Sequence, residues 1–414
     1  MKILVQPYTH TLSHISRPLA VARELRTRGH DVLFAGESSK KRFIEEEGFT
    51  VLPLFEPDPK ELFGHIRSGK LQFISDESLI QMIEADVALY KEVRPDIVLS
   101  DGRFSAPLST HLTGIKHAAI VNVSSTEYRA LPYIPFFGWI PETLVSQDTG
   151  FRKFLDRFNL TLEMFVFDNA MGIFKKLSKQ YGTKKPVTAT NCLAGKDLTL
   201  LADIPEYFPT RNLPSDYIYI GPITWHQNGT LPPWWESAAR QKPLIYFTMG
   251  STGIEKMFNT VYQNLSDMPI TAIVTTGGQK AGLRTLEGKI YVEEFLDGDK
   301  VMEICDLVVC HGGNGTIYQA LQHGKPVLGI PTIPDQDFNM RRVEALGVGR
   351  MVDLAYFEKR PAILLQEITH MLANPDYTAN AAKIQSILKN YNGPRAAADH
   401  IERLLNAPLF SVPA

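Results

Sequence analysis

Along the chain, short runs of apolar and β-branched residues alternate with stretches whose apolar positions recur every three or four residues. The runs read as buried strands and the stretches as helices with one buried stripe. Their alternation predicts parallel sheets wrapped by helices, an α/β fold. The predicted strands form two series. The first is Ile3 to Val5, Val32 to Phe34, Val51 to Leu54, Ile97 to Leu99 and Ala118 to Val123. The second is Leu244 to Phe247, Thr271 to Val274, Ile290 to Val292, Leu307 to Val309, Val327 to Ile330 and Met351 to Val352. Between them, Pro205 to Trp235 is rich in Pro, Gly, Trp and Tyr, which regular elements tolerate poorly, and reads as an interdomain connection with the boundary near residue 215. The first helix is well specified. Ser16 is placed to cap it, Pro18 fits a first turn, Pro18, Val21, Ala22 and Leu25 stand at i, i+3, i+4 and i+7, and Arg28-Gly29 ends it.

A length of 414 residues suits two or three domains of about 150 residues. Lys+Arg 43 against Asp+Glu 45 leaves a net charge of −2, so no global basic field points to nucleic acid or an anionic membrane. Three cysteines, Cys192, Cys305 and Cys310, are too few for a disulfide framework and lack zinc-site spacing; they read as small core residues in a reducing compartment. The opening apolar run, Ile3 to Val5, breaks at Gln6-Pro7, which is too short for a signal peptide, and no stretch approaches the roughly 20 apolar residues of a membrane span. A cytoplasmic location is expected, which makes the triplet Asn159-Leu160-Thr161 uninformative as a glycosylation site.

In open parallel sheets ligands collect beyond the carboxyl ends of the strands, so the following loops carry the candidate chemistry. After Leu307 to Cys310 comes His311-Gly312-Gly313-Asn314-Gly315-Thr316, a glycine-rich turn opening a helix. Such a turn lets backbone N–H groups approach a phosphate, although glycines alone are equally compatible with tight packing. Met249-Gly250-Ser251-Thr252-Gly253 and Thr275-Thr276-Gly277-Gly278 add hydroxyls and glycines to the same rim, which favours a diphosphate site. After Val327 to Ile330, Asp335 and Gln336 are suited to sugar hydroxyls, while an Asp there also serves as a helix cap.

His311-Gly-Gly-Asn-Gly-Thr316, Ala320-Leu-Gln-His-Gly324-Lys-Pro326, and Pro331 followed by Asp335-Gln336 and Asn339 resemble the donor-binding signature of inverting, nucleotide-sugar-dependent glycosyltransferases of the GT-B fold, the group of the UDP-glycosyltransferases and antibiotic glycosyltransferases. Ser13-His14, Arg28-Gly29-His30-Asp31-Val32, Arg94 to Asp101 and Tyr219-Ile220-Gly221-Pro222 extend the resemblance over nearly the whole chain. It implies two Rossmann-like domains facing each other across a cleft: residues 1–214 for the acceptor, residues 215–390 for the nucleotide sugar, and a helix and tail at 391–414 packing back on the first. It places diphosphate contacts on Gly250, Ser251, Thr252, His311, Gly313, Asn314, Gly315 and Thr316, base stacking on Phe295 with Leu296 beside it, and the donor sugar's hydroxyls on Asp335 and Gln336. Gln319 stands where many relatives carry a ribose-binding Glu, and Arg17 where many have the proline of a His-x-x-Pro pattern.

The same resemblance puts the catalytic base on His14, after the first strand, with Asp101 orienting it from beyond the strand Ile97 to Leu99. His10 is the competing base, whereas Asp96 lies at the wrong end of its strand. Tyr128, Tyr133, Phe136, Phe137, Trp139, Phe151, Phe154, Phe158, Phe165, Phe167 and Phe174 crowd one stretch; the helical spacing of Phe151, Phe154, Leu155 and Phe158 marks most of them as core or domain packing. Some would line an apolar acceptor cleft, and peripheral contact with a membrane surface is the third reading. Asp297-Gly298-Asp299 has the form of a metal-binding Asp-x-Asp but reads as a turn and helix cap.

The expected reaction is transfer of a hexose from a UDP- or dTDP-sugar to a hydroxyl of a small apolar or aromatic acceptor, with inversion, no metal and no cofactor beyond the donor. The rivals are a nucleotide-sugar epimerase on the same scaffold, which would need no acceptor, and a catalytically silent glycosyltransferase-like partner protein, which Asp335-Gln336 and His14-Asp101 respectively argue against.

Overall fold

The computed structural model describes residues 1–134, 150–224, 230–250, 255–279 and 282–406. The chain divides into two compact units, Met1–Ile223 with the segment from Asn392 onward, and Thr224–Tyr391. In the first, β1 (Lys2–Pro7), β2 (Asp31–Ala35), β3 (Val51–Leu52), β4 (Ile97–Asp101), β5 (Lys116–Val121), β6 (Leu198–Leu201) and β7 (Tyr217–Tyr219) form a sheet in the order β3-β2-β1-β4-β5-β6-β7. In the second, β8 (Leu244–Thr248), β9 (Thr271–Thr275), β10 (Ile290–Glu293), β11 (Leu307–Cys310), β12 (Val327–Gly329) and β13 (Gly349–Met351) follow the order β10-β9-β8-β11-β12-β13. Every pairing between these strands is parallel. The strands are apolar runs because helices cover both faces: Ile3, Leu4 and Val5 are all fully buried, as are Leu307, Val308 and Val309.

The boundary lies beyond residue 215, because Tyr217–Tyr219 is the last strand of the first sheet, pairing with β6 in the register Thr199↔Tyr217. Gly393 then returns beside the exit point, where a Cβ would stand 2.7 Å from Ile223 Cγ1 and 2.9 Å from the Pro222 carbonyl. The terminal helix Gly393–Asn406 buries Ala397, Ala398 and Ile401. It is tied to the end of the first helix by Arg28 with Asp399 (2.6 Å) and Glu402 (2.8 Å), and Lys116 Nζ donates to the carbonyls of Leu404 and Leu405.

The first helix runs Leu12–Thr27 and starts four residues before the expected cap. Thr11 occupies the N-cap without a side-chain bond, and Ser16 instead donates to the Ser13 carbonyl. The helix reaches back because Ile15 is already buried against the unit. Pro18 therefore stands inside the helix, and with no N–H it cannot bond the carbonyl of His14 one turn earlier.

Of the aromatics on helix Gly150–Ala170, Phe167 packs on the core as expected, stacked on Phe73, whereas the others depart from expectation. Phe151, Phe154 and Phe158 do not pack in a core; they are 58%, 62% and 52% exposed. The opposite side of that helix is the one held to the unit, by buried Asn159, Leu160 and Glu163, so the spacing of Phe151, Phe154 and Phe158 reports a helix but not the face it buries. Phe136, Phe137 and Trp139 lie outside the described residues. The three cysteines are free and buried, and burial pushes the Cys305 and Cys310 thiols up to about 12.

Candidate active site

In both sheets the strand order reverses between two neighbours, β1 and β4 in the first, β8 and β11 in the second. The crossovers on either side leave from there in opposite directions, which opens a crevice at the carboxyl ends of the pair. The sequence places its chemistry at these two points.

At the first, Asp101 ends β4 opposite Pro7 of β1, and its carbonyl accepts from the Tyr8 N–H at 2.8 Å. His14 stands in the first turn of the following helix, and its Nδ1 lies 2.5 Å from Asp101 Oδ1. Gly102 makes room for the ring: its φ is +80°, and a Cβ there would stand 3.1 Å from His14 Nδ1. The carboxylate is fully buried, while the imidazole is 29% exposed. A lone pair facing a carboxylate oxygen at this distance would be repulsive, so we assign the proton to Nδ1, which leaves the Nε2 lone pair available.

Arg17 completes the arrangement. It is buried and grips Asp101 with two nitrogens, Nε to Oδ2 at 2.8 Å and Nη2 to Oδ1 at 2.6 Å; Nη2 also stands 3.2 Å from His14 Nδ1. Its remaining nitrogen, Nη1, donates to Asn122 Oδ1 just past β5. Asn122 Nδ2 in turn donates to Asp203 Oδ2 just past β6, at 3.2 Å. The row His14, Asp101, Arg17, Asn122, Asp203 thus crosses the carboxyl ends of β1, β4, β5 and β6. His10 lies apart from the Asp101 pair; its carbonyl accepts from Lys40 Nζ at 2.9 Å, and burial lowers its pKa against the opposing pull of Glu56, Asp58 and Glu37. His117 is buried on β5, donating to Ser100 Oγ while its Nδ1 accepts from the Lys196 N–H; burial holds it down to about 3, a structural role.

At the second point, His311 follows β11 and is buried, and its Nδ1 has no partner among the described residues. Burial lowers its pKa to about 4, so the ring is neutral at pH 7. Two glycines shape its slot. A Cβ on Gly250, whose φ is +57°, would stand 2.7 Å from its Cε1, and one on Gly313 would stand 2.7 Å from its Nε2. Helix Asn314–Gln322 begins here with Gly313 at the N-cap and no side chain capping it, and Gly315 borders open space. A buried neutral ring beside a helix N-terminus whose N-cap residue has no side chain suits an anion. Ser251 and Thr252 lie outside the described residues.

Phe295 follows β10, half-buried, with Leu296 beside it; the Phe295 ring lies 3.4 Å from a Cβ built on Gly278 in the loop after β9. Asp297 caps helix Gly298–Ile304, accepting from the Asp299 and Lys300 N–H groups, which is the turn-and-cap arrangement. Among the described residues no group of three His, Cys, Asp or Glu could hold a metal ion. Asp335 is not an N-cap: Ile333 holds that position of helix Pro334–Ala345, and Asp335 Oδ2 accepts from Asn339 Nδ2 at 3.4 Å. Gln336 is buried, and its Oε1 is occupied by the Thr332 N–H and hydroxyl at 2.8 and 2.9 Å.

A family model described as erythromycin biosynthesis protein CIII-like, C-terminal domain, matches residues 259–404. A PGL/p-HBAD biosynthesis glycosyltransferase of Mycobacterium tuberculosis is 31% identical over 84% of this chain and 80% of its own. The chain belongs to this glycosyltransferase family. Among solved structures, the glycotransferase of kitacinnamycin matches with a TM-score of 0.71 at 20% identity, over 97% of this chain and 98% of the other. A spinosyn rhamnosyltransferase complexed with thymidine diphosphate matches with a TM-score of 0.69 at 17% identity, over 97% and 100%. The fold is that of the GT-B glycosyltransferases.

Two residues of the glycosyltransferase carry weight that the sequence did not assign. Arg17 stood out only as a departure from the His-x-x-Pro pattern; its grip on Asp101, 84 positions away in sequence, depends on β1 lying beside β4. Asp299 lies beside Gln319, whose Nε2 donates to Asp299 Oδ1 at 3.1 Å, and His323 Nε2 stands equally close to the same oxygen. The carboxylate missing at position 319 is thus present next to it, from another helix.

Proposed function

We propose that this glycosyltransferase moves a hexose from a UDP- or dTDP-sugar to a hydroxyl of a small, apolar or aromatic acceptor, with inversion at the anomeric carbon and without a metal ion. The observation that carries the reading is the His14–Asp101 pair at the strand reversal, 2.5 Å apart, with Nε2 turned away from the carboxylate. Nε2 takes the acceptor's hydroxyl proton as the acceptor oxygen bonds to the anomeric carbon. The bond from that carbon to the diphosphate oxygen breaks, and its electron pair leaves with the nucleoside diphosphate. Asp101 holds the ring and balances the imidazolium, and Arg17 holds Asp101. In the second unit the N–H groups of Gly313 to Thr316 and a ring N–H of His311 stabilise the leaving diphosphate, the task a divalent cation performs in other designs.

Phe295 and Leu296 are assigned to the base, Gln319 with Asp299 to the ribose hydroxyls, and Asp335 with the amide nitrogen of Gln336 to the sugar. The thymidine diphosphate bound by the spinosyn rhamnosyltransferase favours the dTDP-sugar among the two donors. The test is acceptor-dependent release of dTDP or UDP, with the product's anomeric configuration read by NMR. Retention of configuration, or donor isomerisation without an acceptor, would refute the mechanism.

A further inference from the structure

Helix Gly150–Ala170 carries Phe151, Phe154, Phe158, Leu162 and Phe165 at 58%, 62%, 52%, 41% and 65% exposure. At 100° per residue all five fall within an arc of roughly 80°, a stripe about 20 Å long. The far side of the helix holds it to the first unit, through Leu160, fully buried, and Glu163, which accepts from Arg129 Nη2. The helix therefore has two apolar-bearing faces and needs only one for the fold. Four phenylalanines in one exposed line mark a contact surface.

The charge around the stripe selects its occupant. Residues 150–185 contain eight Lys and Arg against three Asp and Glu, in a chain whose net charge is −2. Two of the three acids are turned to the protein: Glu163 pairs with Arg129, and Asp168 accepts from the Thr190 N–H and hydroxyl. Lys175, on the next helix, Ile173–Tyr181, reaches Asp168 at 3.9 Å, which sets that helix with its exposed Lys176 and Lys179 against the end of the stripe. A second copy of the chain is disfavoured, since a two-fold axis would face this positive segment with itself. An anionic lipid surface fits both features, taking the aromatic stripe into its interface and the lysines at its headgroups.

We infer that the Phe151-to-Phe165 stripe with the lysines that follow docks the first unit peripherally on an anionic membrane surface. It is an in-plane contact: among the described residues no helix is long and apolar enough to cross a membrane. The test is co-sedimentation of the full chain with phosphatidylcholine vesicles, with and without 30 mole per cent phosphatidylglycerol, at low and high salt. Binding is expected to the anionic vesicles and to weaken with salt. Phe154→Ser with Phe158→Ser and Phe165→Ser should lower it at least tenfold at an unchanged melting temperature. Lys175→Glu with Lys176→Glu and Lys179→Glu should lower it at least a hundredfold, from about fivefold per basic residue at the surface. Absence of vesicle binding, or binding that survives the serine variant, overturns the inference. So does sedimentation velocity showing a dimer that the serine variant dissolves while vesicles are not bound. Binding indifferent to the lysine reversal overturns the choice of an anionic surface.

Discussion

His14 is held by one hydrogen bond, to Asp101, and Asp101 is held in turn by Arg17. His14→Ala should lower kcat by 10² to 10⁴-fold, the usual cost of losing a general base, with the nucleotide's Kd almost unchanged because the donor residues lie in the other unit. Near-normal turnover in His14→Ala, with loss in His10→Ala, would move the base one turn upstream. Arg17→Met leaves the buried Asp101 carboxylate without its cation and should cost about 3 kcal/mol of stability as well as activity. Arg17→Lys, which keeps the charge but not the two-pronged grip, should recover only part of both in urea unfolding and initial rates. The His14–Asp101 pairing was legible because each residue follows a strand in a recognisable motif. The importance of Arg17 was not, because a side chain one turn along a helix shows its partner only when the sheet has brought β4 alongside β1.

The fully buried parallel strands announce themselves as apolar runs, which is why β8, β9, β11 and β12 could be read directly; β13, Gly349–Met351, is buried only in part and meets the expected Met351 to Val352 in a single residue. β6 and β7 could not: Leu198–Leu201 includes Thr199, and Tyr217–Tyr219 is three residues long inside a Pro-rich stretch. Partners, not pattern, make them strands. At this scale the donor loop makes two predictions. Gly313 has φ −68°, a conformation any residue adopts, so Gly313→Ala adds only a methyl pressed on the His311 ring. It should weaken dTDP or UDP binding about tenfold in calorimetry and also lower the melting temperature, because the new Cβ stands 2.7 Å from the buried ring at a helix N-cap. The second concerns pH. His311 is held at about 4 in the folded state against its ordinary 6.5, so the unfolded chain binds more protons between those values. This contribution to stability is complete above pH 6.5 and is lost as the pH falls towards 4, at no more than about 1.4 kcal/mol per pH unit. Urea midpoints measured from pH 7 to 4 should show the slope, and His311→Gln should remove that share while leaving the one carried by His117.

For the whole molecule, the reading without a metal predicts that EDTA leaves the initial rate unchanged and that Asp297→Asn costs no more than a helix cap, about 1 kcal/mol. Activity abolished by EDTA and restored by Mn2+ would overturn the account of the leaving group. The first unit is also discontinuous in sequence, leaving at Ile223 and resuming at Asn392. On the ribosome this becomes a delay. Its first helix, β5 and β6 emerge early, but the helix Gly393–Asn406 that packs on them is synthesised only after the second unit, roughly 170 residues after Ile223. At about 5–20 residues per second the gap is on the order of ten to thirty seconds. Through that interval the nascent first unit carries an uncovered apolar groove while the second unit, contiguous in sequence, can already fold. Nascent chains arrested after Tyr391 should therefore be captured by chaperones that release the completed chain.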